Sequence, residues 1–567
     1  FKFLSITMAS SLIISYALTA LIVPLLAHRI IDFAKWQDPA HGKETWSKRN
    51  HSRVLKTLFV RPWLIGVAVL VFALIGYVGY REVGTGFLPK MDEGGFVLDY
   101  QADPGTSLAE TNRELAQVEA ILKKNPNVYT YSRRTGAGLG GDLIESYQGD
   151  FFVQLVDPSK RPPIWDVMDS ITNKITNDVP GIDFDTHLLL GDMIGDMVGR
   201  RQPVVITLSA RDPSVLADVG TKVANAVAKI PGVEPASVEN GVVPSGDALE
   251  IHVDPAAAAM TGVTPDDVKT QLSHYLDGTV VATYLGTVQD IGVRVRTDAP
   301  RHKILRADLA KLPIHAPDGH IFPLGTIAQI KFVAGQPQLT RDNLRQVVAV
   351  TAVIGGGHDL GSTIAAVKQK VLDKPGMIPT GVTYEIGGEY KQQQLAVHGM
   401  IKVFGAAVIA EIVLLIFLYE SFTLPLIIIV SSIMSTAAVF VGLWITHIEL
   451  NITAMMGMVM IVGIATEMAI FLVSEYQLLL ETMPPRQAIF EAALNRLRPI
   501  VMSTLAMILA LIPLGIAISG SGDQMLQPLA IAIIAGMFVQ LPLVLFAMPI
   551  VIGLTARDPR KTQLPPA

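Results

Sequence analysis

A chain of 567 residues that is 50% hydrophobic, with a mean hydropathy of +0.42, is too apolar for an ordinary soluble protein and too polar for one lying wholly in lipid, so it implies membrane spans plus a large aqueous part. A net charge of -5 without long charge runs leaves no nucleic-acid footprint. The absence of cysteine excludes disulfides and thiolate metal sites.

In chain order, apolar segments long enough to cross a bilayer at about 20 residues each are expected at 3–27, 63–80, 398–418, 424–445, 452–474, 499–518 and 528–554. The first is apolar from its first turn and has neither a basic n-region nor a small-residue cleavage site, so it reads as a span and not as a signal peptide. The chain is accordingly expected to start inside a longer protein. Residues 28–62 read as a loop with eight basic residues (Arg29, Lys35, Lys43, Lys48, Arg49, Arg53, Lys56, Arg61) against three acids (Asp32, Asp38, Glu44), which places it in the cytoplasm by the positive-inside rule. Alternation then puts residues 81–396 outside, and the tail with Arg557, Arg560 and Lys561 (555–567) inside.

The outside block exceeds what one core holds and is expected to divide. FVLDYQA, SLAETNRELAQVEAILKK and VYTYSRR, then DFFVQLV, IWDVMDSITNKITNDV and IDFDTHL, read as two strand–helix–strand units in series, a ferredoxin-like split sandwich over 81–202. VVITLSA, PSVLADVGTKVANAVAKI and VEPASVEN open a second such subdomain (203–250). RQVVAVTAVI, LGSTIAAVKQKVL and GVTYEIGG complete it (338–397), with a module inserted over 251–337. The fold class is therefore a membrane α-helical bundle with seven spans and a large α+β block outside the membrane, which the resemblance given below places in the periplasm.

Two spans carry acids. In GIATEMAIF, residues 463–471, Glu467 interrupts lipid-soluble helix, where a charged carboxylate costs roughly 2.5–3.5 kcal/mol on insertion scales unless it is paired, protonated or facing a polar cavity. With Ser474 at the cytoplasmic end, Glu467 lies about 10 Å deep, and Ser503 and Thr504 on the next span enter to about 6–8 Å, so acid and hydroxyls are expected to meet. Glu411, in AVIAEIVLLIFLYE, is a secondary intramembrane acid. The bland alternatives are a structural hydrogen-bond partner for Glu467, a snorkelling anchor for Arg496 and a packing role for Ser503.

Outside the membrane, LLLGDMIGDMVGRRQ repeats Gly-Asp-Met at a spacing of four. If helical, it sets Asp192 and Asp196 on one face and Met193 and Met197 on the adjacent one, with Glu145 and Asp150 able to approach. Paired carboxylates suit zinc or cobalt, and thioethers suit Cu(I); the alternative is solvated acids on a glycine-rich loop. RRTGAGLGGD does not sit as a strand-to-helix phosphate loop, and neither GxxxxGK[ST] nor HExxH occurs. His315 and His320 flank APDG, a hairpin turn.

FLPKMDEGGFVLDYQADPGTSL, RDNLRQVVAVTAVIGGGHDLGS and RLRPIVMSTLAMILALIPLGI, in this arrangement, resemble the resistance-nodulation-division (RND) efflux permeases of Gram-negative bacteria over essentially the whole chain. The resemblance implies the second half of a twelve-span permease beginning in the sixth span. It also implies a docking role for the inserted module, an inner-membrane location, and a proton-driven homotrimer joined to a periplasmic adaptor and an outer-membrane channel. Glu467 occupies the position where drug exporters of the family carry a relay lysine and heavy-metal exporters a glutamate, and Arg496 and Ser503 match relay positions of the following helix. The family's paired aspartates belong to the fourth span, outside this chain.

Two departures bear on substrate. Ile500 stands where the metal exporters carry a lysine, and the methionine triad of copper and silver exporters is replaced by Asp99, Gln148 and Gly195, which disfavours Cu(I). The implied function is proton-driven export of metal cations or organic compounds, with no cofactor, protons as coupling ion and a divalent metal only as substrate. A membrane-anchored periplasmic binding or scaffold protein is the rival reading.

Overall fold

The computed structural model describes residues 2–30, 46–137, 144–198, 202–242, 246–287, 289–296, 306–333, 339–355, 357–517 and 521–555. It opens with α1 (Lys2–Ile30), α2 (Trp46–Val60) and α3 (Trp63–Glu82). Helix α2 lies in the stretch expected to be a loop. His51, Leu55 and Phe59 recur at a spacing of four, and Leu55 and Phe59 join the apolar core of the bundle, so the basic segment carries an amphipathic helix docked on the spans.

The first subdomain runs β1 (Gly95–Ala102), α4 (Leu108–Lys124), β2 (Val128–Thr135), β3 (Gln148–Leu155), α5 (Ile164–Asp178) and β4 (Ile182–Leu188). Its antiparallel sheet has the order β2-β3-β1-β4, the split arrangement the sequence predicts. Alternation along β1 sends Phe96, Leu98 and Tyr100 into a core with Leu115, Leu122, Phe151, Ile171 and Ile175. The other face brings Asp99 opposite Asp150 on one side and Asp185 on the other. Ser107 caps α4, its side chain accepting from the Glu110 N–H at 3.3 Å. Helix α6 (Leu189–Val198) follows β4 directly.

The second subdomain begins with β5 (Val204–Ser209) and α7 (Pro213–Val227). VEPASVEN does not form the expected strand. Pro235 has no N–H for a ladder and opens a 3-10 turn over Pro235–Ser237, which leaves only isolated bridges, Val233 to Ile354 and Glu239 to Thr351.

The insert follows as β6 (Ala248–Val253), α8 (Pro255–Met260), α9 (Pro265–Leu276), β7 (Thr279–Leu285), β8 (Asp290–Val295), α10 (Arg306–Ala310), β9 (Pro313–His315), β10 (Ile321–Pro323) and β11 (Ala328–Val333). Strands β6 and β11 pair antiparallel from Ala248–Val333 to Val253–Ala328, and the module has its own core around Val268, Leu272, Ile314, Leu324 and Ile330. His315 and His320 flank a turn between β9 and β10, as their spacing predicts. The subdomain then resumes with β12 (Thr340–Asp342), β13 (Arg345–Ala352), α11 (Leu360–Val367) and β14 (Thr383–Gly387), in a sheet of order β12-β13-β5-β14. Short β12 takes the edge beside β13.

The bundle comprises α12 (Gly388–Tyr419), α13 (Thr423–Thr446), α14 (Ile452–Leu480), α15 (Pro485–Ile516), α16 (Ser521–Pro542), a π-helical turn over Leu543–Ala547, and α17 (Met548–Thr555). With α1 and α3, the described residues hold seven helices long and apolar enough to cross a membrane, the last running through α16 and α17. Strand β14 passes into α12 without an intervening loop. Small residues let the central helices close up: a Cβ at Gly457 would stand 2.6 Å from the Ala532 Cβ on α16. Helices α12, α13 and α15 each end on a non-glycine residue in the left-handed region: Glu420 (φ 47°), His447 (φ 55°) and Ala517 (φ 53°).

Candidate functional site

Helix α14 has two unlike faces. Ala465, Thr466, Met468 and Ala469 are buried, whereas Gly463, Glu467, Phe471, Ser474 and Leu478 are exposed and recur at helical spacing as one stripe. Glu467 therefore points away from the helices packed around α14. The sequence-based expectation that it meets Ser503 and Thr504 is not what the packing gives. The Ser503 hydroxyl donates to the Ile500 carbonyl at 3.1 Å, and the buried Thr504 hydroxyl donates to the same carbonyl at 2.7 Å and lies 3.5 Å from the Met468 Sδ.

Arg496 is not joined to Glu467 either. Its Nη2 and Nε donate to Glu475 Oε2 at 2.9 and 3.1 Å, and Asn495 Nδ2 donates to Glu475 Oε1 at 3.0 Å. That pair joins the last turns of α14 to α15, 11 residues into the latter helix. Glu475 was missed from sequence: it lies 5 residues before the end of α14 while Arg496 lies 11 residues into α15, so counting from the turn does not pair them.

Glu411 is half-buried, with Leu415 and Tyr419 on the face of α12 that meets α14. Thr466 Oγ1 lies 3.0 Å from Ser432 Oγ on α13, and Ser432 donates to the Ile428 carbonyl at 3.0 Å. Fully buried Gln540 on α16 closes the far side, its Nε2 donating to the Ala465 carbonyl at 3.2 Å and to Ser431 Oγ at 3.5 Å. Glu411 thus lies on a packed face of its helix, whereas Glu467 lies on an open one.

In the α+β block formed by the two subdomains, here called the porter block, the Gly-Asp-Met repeat is helical, as α6. Glu93 Oε2 accepts from the Leu190 N–H at 2.9 Å at its start, where a helix favours negative charge. Asp192 is buried and Met193 exposed; the side chains of Asp196 and Met197 lie outside the described residues. Asp150 is held by Arg134, whose Nε and Nη2 donate to its two oxygens at 2.8 and 2.7 Å, so its charge is spent on a structural pair. Glu145 is exposed.

Sequence reading passed over His187. Asp183, Asp185 and His187 alternate along β4 and share one face, with Asp185 directly opposite Asp99 on β1 and the other two diagonal to it. His187 Nε2 lies 3.2 Å from Asp185 Oδ2 and 3.6 Å from Asp99 Oδ2. Burial alone would push the imidazole down, but the hydrogen bond to Asp185 and the fields of Asp185, Asp99 and Asp192 outweigh it and hold its pKa above the usual 6.5. Burial pushes Asp185 up, and the same hydrogen bond, with the Thr186 N–H, brings it below the ordinary carboxylate value. Glu239 of the second subdomain is raised, chiefly by burial, and feels Asp185, Asp183 and His187, so the two subdomains face each other here. Among the described residues no group of three or more His, Asp or Glu side chains is arranged to hold a metal ion.

A family model described as the AcrB/AcrD/AcrF family matches residues 1–555. Among curated proteins, the chain is 25% identical over 530 residues to the cobalt-zinc-cadmium resistance protein CzcA of Cupriavidus metallidurans, covering 90% of this chain and 49% of that protein. It is 24% identical over 574 residues to the nickel-cobalt-cadmium resistance protein NccA of Alcaligenes xylosoxydans xylosoxydans, covering 99% and 52%. The chain thus spans about half the length of these relatives. Two crystal structures of a heavy metal efflux pump share the fold, with TM-scores of 0.80 and 0.77 at 21% and 22% identity, over 90% of this chain and 51% and 52% of those chains. The sheet topology, the seven apolar helices and a match running almost from end to end agree: the chain belongs to the AcrB/AcrD/AcrF family of RND permeases.

Proposed function

We propose that this chain serves as the C-terminal half of a proton-driven efflux permease of the bacterial inner membrane, and that the permease exports divalent metal cations. The observation that carries the reading is Glu467, a carboxylate in the middle of an apolar helix and on its open stripe. An acid costs too much there to serve as filler. The remaining helices of a longer permease would cover the stripe and bring their own acids opposite Glu467. Protonation from outside and release inside would then change the charge between the two halves, and one charge moved through 100 mV supplies about 2.3 kcal/mol to the cycle.

Assembly as a homotrimer with a periplasmic adaptor and an outer-membrane channel completes the proposal, on the family's pattern. The metal class is supported by the names of the relatives, and carboxylate and imidazole side chains, the types present here, suit borderline divalent cations better than Cu(I). Asp192 is carried forward from the sequence-based set. Asp150 is not, because Arg134 occupies it.

The test is the full-length permease reconstituted in liposomes. Glu467→Gln should abolish metal export driven by a proton gradient while leaving the protein in its normal oligomer. Export at the wild-type rate would end the proton-relay reading. Resistance of a deletion strain carrying the permease, scored against zinc, cobalt, nickel, cadmium and a panel of organic compounds, tests the substrate class; protection against organic compounds alone would refute it.

A further inference from the structure

We propose that residues 84–87 form a strap that carries movement of α14 to the second porter subdomain, and that Asp359, at the start of α11, is the positioning residue that fastens the strap there. The inference rests on the proton-driven reading, because it names the route by which a change of charge at Glu467 reaches the porter.

The chain leaves α3 at Glu82 and enters β1 at Gly95. Between them it passes from one apolar core to another: Val83 belongs to the core of the bundle, and Phe87 packs against the core of the second subdomain. Thr85 pairs with Leu450 in a parallel bridge, where successive peptide groups point to opposite edges. One edge meets the corner between α13 and α14. There the Leu450 N–H donates to the Gly84 carbonyl at 2.8 Å, the Gly86 N–H to the Leu450 carbonyl at 3.2 Å, and the Ile452 N–H, the first of α14, to the Phe87 carbonyl at 3.3 Å. The other edge meets α11. The Thr85 N–H donates to Asp359 Oδ2 at 3.1 Å, and the Gly361 N–H donates to the Thr85 carbonyl at 3.4 Å. The strap is thus bonded along both edges, to the bundle on one and to the second subdomain on the other.

Side chains hold this joint tightly. Asp359 caps α11, and the oxygen that accepts from Thr85 also accepts from the Ser362 N–H at 3.0 Å, so one carboxylate ties strap and helix together. A Cβ at Gly84 would stand 2.9 Å from the Asp359 Cβ, and one at Gly361 would overlap Thr85 Oγ1. Buried Gln393 on α12 donates to the Gly86 carbonyl at 3.1 Å, and Lys90 pairs with Glu449 of the α13–α14 corner at 2.9 Å. Ile452 and Glu467 lie on one helix, about 22 Å apart along its axis. A shift of that rigid element at Glu467 therefore arrives at the strap and is handed to α11. The first subdomain is reached only through residues 88–94, whose Asp92 N–H donates to Gln524 Oε1 on α16 at 2.6 Å. The two subdomains are positioned by different spans, the second by α14.

The experiment uses the full-length permease in liposomes and reads zinc exported and protons admitted in the same vesicles. Asp359→Ser keeps a good helix cap but is too short to hold Thr85. Zinc moved per proton should fall about tenfold or more, the scale of a lost hydrogen bond to a charged group, while proton entry continues. Asp359→Asn, which keeps the shape and an acceptor oxygen, should restore the ratio. Gly361→Ala should uncouple as Asp359→Ser does, and adding Thr85→Ala should repair it, because the hydroxyl is the atom in the way and the strap's own bonds are made by backbone. This second pair also serves should Asp359→Ser fail to assemble. A wild-type ratio in both Asp359→Ser and Gly361→Ala would overturn the proposal. So would zinc and proton flux falling by the same factor, the mark of a merely structural role. If Glu467→Gln exports at the wild-type rate, the proton-driven reading falls and the strap with it. If Glu467→Gln is inactive and the strap variants keep the wild-type ratio, only the strap falls.

Discussion

In the first porter subdomain Asp150 and Asp92 each carry a guanidinium of their own, from Arg134 and Arg161, whereas in the bundle, among the described residues, neither Glu411 nor Glu467 has an arginine or lysine paired with it, and Glu467 lies on an open stripe. The difference is one of permanence. An acid held by an arginine has a fixed counter-charge, because arginine does not release its proton. An acid without such a partner can be neutralised only by something that comes and goes. The porter carboxylates with arginine partners therefore build structure, and those without them are the ones suited to respond.

That contrast can be broken at several points. The largest effect should come from Glu467→Gln, with complete loss of gradient-driven export in liposomes and little change in thermal stability. Next is Arg161→Met. The Arg161 side chain is fully buried and donates to Asp92 and, at 2.8 Å, to the Val156 carbonyl, so its removal strands an acid and should cost about 3–5 kcal/mol. Limited proteolysis of the porter block would register this, and unchanged protection would remove the structural reading of these pairs.

His187 is the intermediate case, a cation that can itself be lost. Its pKa is raised by folding, so its contribution to stability is complete below the unfolded value near 6.5 and disappears as pH rises through the higher folded value. Thermal midpoints of the detergent-solubilised protein should fall over that interval, and His187→Gln should flatten the slope. A slope that survives the substitution would assign the titration to another group. The smallest effect concerns the bundle turns. Glu420→Gly removes a left-handed strain at the end of α12 and should change stability by about 1 kcal/mol or less, read as a small rise in thermal midpoint.

Depth in the membrane was legible from sequence and azimuth was not. A rise of 1.5 Å per residue puts Glu467 and Thr504 at matching heights, and the structure sets Thr504 against Met468, the next residue along. Which way Glu467 points depends on how α14 rolls against α13 and α16, and that is decided by small residues such as Gly457 and Ala532 on helices far apart in sequence. The contact of Ser432 with Thr466 was hidden for the same reason, since the two lie on different helices. Strand and helix periods recovered the first subdomain element by element. They failed at VEPASVEN, where a proline in a strand-like run opens a turn. On β4 the information was present, in the alternation of Asp183, Asp185 and His187, but attention went to the repeat that follows it.

The pairing of β6 with β11 has a consequence for how the chain can be edited. The two ends of the inserted module, at Ala248 and Val333, leave the second subdomain side by side, about one strand spacing apart. The interrupted sheet and the module keep separate apolar cores. In the language of construction, the module is a cassette clipped in through a single double-stranded stem. Its contents can be lengthened, shortened or exchanged without asking the porter sheet around it to find a new register.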